Sequence, residues 1–349
     1  MHTEYFVVDQ DYPDRKILAQ AAEFLKQGRL VAFPTETVYG LGANGLDEKA
    51  VSGIYQAKGR PSDNPLILHI SKVEELQPLV ARVSNNAKVL MSTYWPGPLT
   101  IVVRRSNKVP DIVTGGLETV GIRLPGSAVA RELIALAGVP VAAPSANTSG
   151  RPSPTSAQAV LTDLGGKIDA VVDGGNCRIG VESTVVDCTT PVPTLLRPGG
   201  VTLEMLLETL GEVEVDPILS GSFELAPRSP GMKYTHYAPN APMVLVEGVY
   251  PQLTEMLLQE IAKALAEGKR VGALVSAETA GRLPDGVMPS VYGTRSDVAE
   301  IAAGLYRALR SYDQHSVDVI YAEGVAEEGL GLAVMNRLRK ASGYRIIKA

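Results

Sequence analysis

The chain is poor in cysteine and histidine and has no long apolar run, and each of these absences excludes a class of protein. Its 349 residues include two cysteines, Cys177 and Cys188, which form neither a CxxC motif nor a disulfide framework. The four histidines show no HExxH motif, so a zinc hydrolase is not expected. No segment approaches the roughly 18 apolar residues of a membrane span, and the first residues lack the basic and apolar regions of a signal peptide. We therefore expect a cytoplasmic protein with reduced cysteines and no membrane contact.

Aromatic residues and positive charge are also scarce. Phe, Trp and Tyr make up 5% of the chain, and the formal net charge is −5. A protein that holds RNA by its phosphates normally carries a basic surface, and single-strand binders interleave it with aromatic side chains. We therefore interpret the local Lys and Arg clusters as a pocket for small anions. The alternative is a module that binds double-stranded RNA or tRNA through a basic concave face.

Two familiar site motifs are missing as well. The chain has no GxxxxGK[ST] motif, so an ATP site would not be a P-loop, and no GxSxG motif, so Ser145 is not an esterase nucleophile. Residues 40–45 match GxGxxG, but the polar stretch 35–39 separates them from the strand that Pro34 ends. In a dinucleotide-binding fingerprint the strand leads directly into the glycines. We interpret residues 40–45 as a tight glycine turn and keep a nicotinamide-dependent oxidoreductase as a second alternative.

The length of the chain favours two domains. Residues 1–210 mix short apolar strands with helices without regular alternation, which predicts a mixed α/β domain built on a twisted sheet. Residues 241–349 alternate strands and helices, which predicts a smaller Rossmann-like domain with a parallel sheet. Residues 211–240 are rich in proline and glycine, and we expect a linker or functional loop without clear secondary structure.

The elements behind these predictions are short apolar runs and amphipathic stretches. The predicted helices of the first domain have plausible caps at Asp47 and Ser127. The predicted strands are 30–33, 66–70, 99–103, 139–143, 244–246, 271–275, 287–291 and 317–321. The predicted helices are 14–27, 47–57, 84–94, 127–137, 202–210, 251–267, 297–312 and 329–342.

The most informative stretch is KGRPSDNP, residues 58–65. It places two cations, Lys58 and Arg60, beside two prolines that fix the backbone, and it runs into the predicted strand 66–70. We expect a stiffened loop that holds an anionic ligand at the mouth of a strand. His69 within that strand follows an apolar pattern, which on its own is typical of a buried core histidine.

Further polar motifs at the ends of apolar runs occur in a characteristic order: PTETVYGLG, KGRPSDNPL, PGPLT, GIRLP, APSANTSG and ESTVVD. In this combination the chain resembles the threonylcarbamoyl-AMP synthase family, the YrdC-like enzymes, over nearly its whole length. The segment SPGMKYTHYAP, residues 229–239, and the region after it resemble the longer, two-domain form of that family. The resemblance implies a YrdC-like catalytic domain at 1–210, a linker or active-site lid at 211–240, and a C-terminal Rossmann-like domain at 241–349.

The resemblance also implies an activity and a site. The enzymes of this family condense L-threonine, bicarbonate or CO2, and ATP into threonylcarbamoyl-AMP and pyrophosphate, and a separate tRNA threonylcarbamoyl transferase uses the product. Lys58 and Arg60 are the implied catalytic residues. The implied threonine-binding residues are Thr37, His69, Arg123, Ala143 and Ser183. The implied ATP-binding residues are Arg60, Asn64, Thr119, Ser145, Ser153, Arg197 and Tyr237.

The implied cofactor requirements are modest. ATP is a substrate, and Mg²⁺ is expected to assist on its phosphates, but no residue is predicted to bind a metal in a dedicated site. No stable direct binding of tRNA and no membrane partner are expected.

Overall fold

The computed structural model describes residues 2–220 and 237–349, and these form two compact units. The first unit comprises Met1–Ser149, Pro154–Arg178 and Glu182–Lys233. The second comprises Gly150–Ser153, Ile179–Val181 and Tyr234–Ala349. Each unit is described by itself below.

The first unit is a mixed α/β structure built on one large sheet. Among the described residues its strands are β1 (Glu4–Val7), β2 (Val31–Phe33), β3 (Gly40–Asn44), β4 (Ile67–His69), β5 (Val80–Arg82), β6 (Leu99–Arg105), β7 (Thr119–Arg123), β8 (Val141–Ala142), β9 (Ala170–Asp173), β10 (Thr184–Asp187), β11 (Thr194–Arg197) and β12 (Glu214–Val215). The strand order is β1-β9-β2-β3-β8-β4-β7-β6-β10-β11-β12, with β5 paired to β6. The sheet contains both parallel pairs such as β4–β7 and antiparallel pairs such as β6–β7, and the unit as a whole is the mixed α/β structure that was predicted.

Helices cover this sheet, and all of those described except α4 begin at a side-chain cap. They are α1 (Arg15–Lys26), α2 (Glu48–Lys58), α3 (Asn85–Tyr94), α4 (Asp111–Thr114), α5 (Ala128–Ala137), α6 (Ala157–Leu164) and α7 (Leu203–Leu210), with 3-10 turns at Val73–Leu79 and Pro217–Ser220. Asp47 accepts from the backbone N–H groups of Lys49 and Ala50 at 2.9 and 3.2 Å, and Ser127 accepts from Ala130 at 3.2 Å. Both predicted caps are thus confirmed, because a short polar side chain satisfies N–H groups that the first helical turn leaves unpaired.

The predicted glycine turn at residues 40–45 is wrong, because most of this segment is the strand β3, antiparallel to β2. The glycines serve close packing instead of a turn. A Cβ atom on Gly42 would lie 2.8 Å from side-chain atoms of both Phe33 and Val141, and one on Gly45 would lie 2.4 Å from Leu68. Glycine is therefore required here because neighbouring side chains occupy the space of its missing Cβ.

The second unit carries a separate five-stranded, all-parallel sheet, as predicted for a Rossmann-like domain. Its strands are β13 (Met243–Glu247), β14 (Val271–Ser276), β15 (Met288–Gly293), β16 (Val319–Glu323) and β17 (Ile346–Lys348), in the order β15-β14-β16-β13-β17. Its helices are α8 (Gln252–Ala266), α9 (Ala277–Ala280), α10 (Val298–Ser311) and α11 (Gly331–Ala341). At the carboxyl end of β16 the buried Glu323 accepts from Arg295 at 3.0 Å and from Thr279 at 2.9 Å. A buried charge of this kind is tolerated because its partners satisfy it.

The predicted helices and strands of both units lie within about two residues of their observed bounds, which is the precision expected of such boundaries. The prediction of a structureless segment at 211–240 is wrong in its first ten residues. There β12 pairs in parallel with β11, and a 3-10 turn follows at Pro217–Ser220.

Candidate functional site

Three strands, of which β4 and β6 were predicted and β7 was not, align polar side chains in one row across the sheet. His69 on β4 is paired with Arg123 on β7, and Arg123 is paired with Thr100 on β6. Residues directly opposite each other on paired strands place their side chains on the same face. All three residues are buried, so the row is a polar patch inside an otherwise apolar sheet.

Arg123 is held by a carboxylate that the sequence did not reveal. Its Nη2 atom lies 2.6 Å from Oε1 of Glu36, and its Nε atom donates to the Gly97 carbonyl at 3.4 Å. Burial would raise the pKa of Glu36, but the charge and the hydrogen bond of Arg123 outweigh it, so the pKa of Glu36 is lowered. The second oxygen of Glu36 accepts from the Ser127 backbone at 3.2 Å. The guanidinium is thus oriented on one side and keeps further N–H groups for a ligand.

His69 is a neutral imidazole. Burial, reinforced by the positive charge of Arg123, lowers its pKa to about 3. Its Nδ1 atom lies 3.2 Å from the Ile67 carbonyl, which favours the tautomer with the hydrogen on Nδ1. The Phe33 ring packs edge-on against the imidazole, with centroids 6.4 Å apart. His69 can therefore contribute hydrogen bonding and shape to a ligand but not positive charge.

Thr37 and Ser183 present hydroxyl groups from two different loops. Thr37 is fully buried, and its Oγ1 atom lies 2.8 Å from Oγ1 of Thr35. Ser183 precedes β10, and its Oγ atom lies 2.8 Å from Oγ1 of Thr100. Arg197 on β11 donates to the Ser183 carbonyl at 3.0 Å and to the Ser183 hydroxyl at 3.1 Å. Arg197, which the resemblance assigns to ATP, thus contacts a residue that it assigns to threonine.

Ala143 completes the predicted threonine set. Its backbone N–H donates to the Ile67 carbonyl at 3.0 Å, which fixes it directly beyond β8 and beside β4. A Cβ atom on Gly40 would lie 3.3 Å from the Ala143 side chain, so a larger residue at either position would close the space there.

Lys58 lies at the end of a helix and not on the loop expected from the sequence. It is the last residue of α2, and Gly59 ends that helix in the left-handed conformation, with φ of 61°. The Lys58 ammonium is buried and donates to the carbonyl groups of Ser145 and Asn147, the former at 2.5 Å. The Ser145 hydroxyl in turn lies 2.5 Å from the side-chain oxygen of Asn147. Lys58 thus fixes the backbone of the loop at residues 143–147 (APSAN) and places a positive charge next to it.

Arg60 and Asn64 form a second small cluster after this helix. The Arg60 guanidinium donates to the carbonyl groups of Asn64 and Pro65 at 3.4 and 3.2 Å. Asn64 is buried, and its carbonyl also accepts from the Tyr55 hydroxyl at 3.2 Å. Thr119 begins β7, the strand that ends in Arg123, and is half-buried. The Arg60 guanidinium thus contacts two backbone carbonyl groups of its own loop, beside the chain that leads into β4.

Two predicted ATP-binding residues, Ser153 and Tyr237, belong to the second unit. Ser153 is fully buried there, next to Pro152, whose carbonyl accepts from Arg310 at 2.5 Å. Tyr237 is buried with its ring centroid 5.3 Å from that of Tyr306, and its φ of 66° is unusual for a residue other than glycine. The lid predicted for residues 229–239 lies outside the described residues as far as position 236.

Sequence reasoning missed several side chains that contact the predicted site residues. Glu36, Thr35 and Thr100 all lie inside quoted motifs, PTETVYGLG and PGPLT, but nothing in those motifs says which side chains they meet. The only available signal was polarity, since Thr100 stands between apolar residues at the start of a strand that is otherwise Leu, Ile and Val.

The two cysteines lie near the site or in the core but are not nucleophiles. Cys177 is buried, and burial together with the nearby charge of Glu36 raises the pKa of its thiol well above its usual value. Burial raises the pKa of Cys188 to about 12. Both thiols are therefore protonated at neutral pH, and the chemistry of the site depends on the charged and hydroxyl groups.

Neither a metal cluster nor a spanning helix is found in the part of the chain that the structure describes. Within residues 2–220 and 237–349 no three His, Cys, Asp or Glu side chains are grouped so that they could hold a metal ion. Over the same residues, every helix is too short or too polar to cross a membrane.

A large mixed sheet with a buried Arg, His and hydroxyl row, joined to a second parallel-sheet unit, defines a recognisable class. The chain belongs to the Sua5/YciO/YrdC family, whose sequence model, described as "Telomere recombination", matches residues 23–199. A second model, described as "Threonylcarbamoyl-AMP synthase, C-terminal domain", matches residues 201–343. The resemblance inferred from the motifs is thereby confirmed.

Individual relatives are similar over almost the whole chain. The threonylcarbamoyl-AMP synthase of Pyrococcus abyssi is 52% identical over 328 residues, covering 94% of this chain and 94% of that protein. That of Bacillus subtilis is 50% identical over 332 residues, covering 95% and 94%. A crystal structure of Sua5 from P. abyssi in complex with L-threonine has a TM-score of 0.94 at 50% identity, covering 99% of this chain and 100% of that chain.

Proposed function

We propose that this protein is an L-threonylcarbamoyladenylate synthase, which makes threonylcarbamoyl-AMP and pyrophosphate from L-threonine, bicarbonate or CO2, and ATP. The observation that carries the proposal is the buried row of His69, Arg123 and Thr100, with the Ser183 hydroxyl hydrogen-bonded to Thr100. This row offers a cation, a neutral imidazole and hydroxyl groups in one small space, which suits an amino acid with a polar side chain. The names of the related proteins and the threonine bound to Sua5 of P. abyssi support the same reaction.

The reaction needs no protein nucleophile. The threonine amine attacks CO2 and gives up one proton to water, which leaves a carbamate anion, and a carbamate oxygen then attacks the α-phosphorus of ATP. The bond to the bridging oxygen breaks, and pyrophosphate leaves with the electron pair. The protein has to hold the reactants in contact and to stabilise the negative charge that grows on the phosphates. Buried cations and hydroxyl groups are sufficient for both tasks.

We assign Thr37, His69, Arg123, Ala143 and Ser183 to the threonine pocket. Arg123 binds the carboxylate, because a planar guanidinium already fixed by Glu36 can offer parallel N–H groups to it. His69 stays neutral, since its pKa is lowered to about 3, and so it does not compete with Arg123 as a cation. Ala143 sets the size of the pocket.

We assign ATP binding to Arg60, Asn64, Thr119, Ser145, Ser153, Arg197 and Tyr237. Lys58 and Arg60 are the proposed catalytic residues, which neutralise charge on the leaving pyrophosphate. Lys58 suits this role because it is buried against the Ser145 loop, where a nearby phosphate would be shielded from water. Ser153 and Tyr237 enter this assignment through the family resemblance alone.

Mg²⁺ is expected to accompany the nucleotide. Within residues 2–220 and 237–349, no three or more His, Cys, Asp or Glu side chains are grouped as metal ligands. We propose that Mg²⁺ arrives bound to ATP, with phosphate oxygens and water as its ligands, and we assign no step to it.

The wider role that we propose is in tRNA modification in the cytoplasm. A separate tRNA threonylcarbamoyl transferase would use the product, and the net charge of −5 argues against stable binding of tRNA by this chain itself. Within the chain we assign catalysis to residues 1–210, a lid or linker to 211–240 and a supporting Rossmann-like domain to 241–349.

The test is direct. The purified protein is incubated with ATP, threonine and bicarbonate, and pyrophosphate and threonylcarbamoyl-AMP are measured with and without threonine. We expect pyrophosphate only when threonine is present. Lys58→Gln should lower the rate by about 100-fold or more, whereas Lys49→Gln, an exposed lysine on the same helix, should leave it unchanged. Pyrophosphate formation that does not depend on threonine would contradict the proposal.

A further inference from the structure

Two hydroxyl groups of the proposed threonine pocket each contact a buried threonine that is not itself assigned to the pocket. Thr37 contacts Thr35, and Ser183 contacts Thr100, each at 2.8 Å. A hydroxyl group carries one hydrogen and two lone pairs, so it can donate only once. The remaining hydrogen bonds of each pair therefore decide which hydroxyl donates and which accepts.

In the first pair, Thr35 has already used its hydrogen. Its Oγ1 atom donates to the Val38 carbonyl at 2.6 Å and accepts from the backbone N–H groups of Thr37 and Val38, both at 3.2 Å. Because the Val38 carbonyl can only accept, the single hydrogen of Thr35 lies on that contact, and the two side chains meet with Thr37 as the donor. The two longer backbone N–H contacts then share one lone pair of Thr35, and Thr37 uses the other. The Thr37 hydroxyl then has only lone pairs left for a ligand, so it is an acceptor.

In the second pair, the direction is the reverse. Thr100 is fully buried, and Ser183 is the one side-chain partner that its hydroxyl has among the described residues. If Ser183 donated to Thr100, the hydrogen of Thr100 would remain buried without an acceptor, which is costly. Thr100 therefore donates to Ser183, and Arg197 donates to the same oxygen at 3.1 Å. Both lone pairs of Ser183 are thus occupied, and its hydrogen is available only to a ligand.

We infer that Thr35 and Thr100 are positioning residues that give the pocket a fixed hydrogen-bond polarity, with Thr37 as an acceptor and Ser183 as a donor. This inference rests on the proposed function. Threonine matches this polarity, since its amine and hydroxyl can donate to Thr37, and its carboxylate or hydroxyl oxygen can accept from Ser183. Arg123, opposite Thr100 on the neighbouring strand, adds donors beside Ser183.

The sharper test is at Thr100, because replacing it disturbs no other hydrogen bond of the described residues. Thr100→Val keeps the shape of the side chain but removes its hydroxyl, so Ser183 is no longer forced to donate to the ligand. We expect KM for threonine to rise about tenfold, the equivalent of one hydrogen bond, with kcat and KM for ATP changed less than about twofold. Thr100→Ser restores the hydroxyl and should return KM for threonine to within about twofold of wild type.

Thr35 gives an independent arm of the same test. Thr35→Val should raise KM for threonine by a similar factor, about tenfold, and Thr35→Ser should rescue it. Thr194→Val is the matched control, because Thr194 is also buried in the sheet but its hydroxyl contacts Glu214 at 3.4 Å. It should leave both KM values unchanged.

The outcomes separate this inference from the assignment on which it rests. An unchanged KM for threonine in Thr100→Val, an equal rise for ATP and threonine, or a failure of Thr100→Ser to rescue would each overturn the polarity. If Thr100→Val does not fold, Thr100→Ala is measured in its place, with the same expected split between threonine and ATP. Arg123→Lys is measured in parallel: if it also binds threonine normally, the pocket assignment itself is wrong.

Discussion

Arg123→Lys is the substitution that most directly probes the proposed threonine pocket. The Arg123 guanidinium has five N–H groups. Its Nη2 atom donates to Glu36 Oε1 at 2.6 Å and its Nε atom donates to the Gly97 carbonyl at 3.4 Å, which leaves about three N–H groups for a ligand. A lysine ammonium has three N–H groups, so keeping the same two partners leaves about one. The substitution therefore removes two charge-assisted hydrogen bonds from the ligand carboxylate.

Each bond to a charged group is worth about 1.5 kcal/mol, so the loss should be about 3 kcal/mol, or about 150-fold in affinity. Titration calorimetry with threonine measures this loss, and a parallel titration with ATP should show a change of less than about threefold. Arg104→Lys is the matched control, because Arg104 lies on the neighbouring strand β6 but is exposed. It should bind threonine as the wild type does.

The reasoning is refuted if Arg123→Lys binds threonine within about threefold of wild type while remaining folded. It is also refuted if threonine and ATP affinities fall together, since that pattern would mean a general distortion of the sheet. Glu36→Ala provides a check on orientation: it leaves the Arg123 charge in place and removes its anchor.

Three further predictions concern acidity, substrate choice and the C-terminal segment. Burial lowers the pKa of His69 to about 3, so the unfolded chain takes up a proton near pH 6.5 that the folded protein excludes. The free energy of unfolding should therefore fall as the pH drops below 6.5. Urea unfolding followed by Trp95 fluorescence should show that wild type loses about 1 kcal/mol more than His69→Asn between pH 6.5 and 5.5. Parallel slopes for the two proteins would disprove the neutral histidine. Valine should have a kcat/KM at least about 1,000-fold lower than threonine, because it leaves the polar groups of the pocket unpaired. Serine should have a kcat/KM only about tenfold lower. Similar kcat/KM values for valine and threonine would argue against the pocket. Tyr237→Ala should leave the first unit folded, as judged by circular dichroism. The family resemblance implies that it lowers threonine-dependent pyrophosphate formation and raises the share of product lost as AMP. Full activity would remove Tyr237 from the ATP-binding set.

Local sequence signals were enough to predict most helices of both units and most strands of the second unit, but only β2, β4, β6 and β8 among the strands of the first. The helix α2 shows why: Asp47 caps it, its apolar residues recur on one face, and Gly59 ends it. Each of these signals acts within a few residues of the element. The parallel sheet of the second unit followed in the same way, from regular alternation of apolar strands with helices.

The strand β3 could not be predicted from such signals. Its two glycines and Gly45 just after it resemble a turn, and the reason for them lies in Phe33, Val141 and Leu68, which come together with them only in the folded sheet. Distances along the chain also explain why the supporting residues of the site were missed. Glu36 and Arg123 are 87 positions apart, and Thr100 and Ser183 are 83 apart. Motif reading proposed the residues of the candidate site, but strand register decides which side chains contact them.

The buried state of Cys177 and Cys188 has a practical consequence for experiments on this protein. A thiol whose pKa is raised by burial carries almost no thiolate at neutral pH, so maleimides, iodoacetamide and mild oxidants should leave both native cysteines unmodified. A single new cysteine at an exposed position such as Tyr12, which is 88% exposed, would then be the one reactive thiol in the chain. Fluorophores, spin labels or surface tethers can therefore be attached to the wild-type background without first removing its own cysteines.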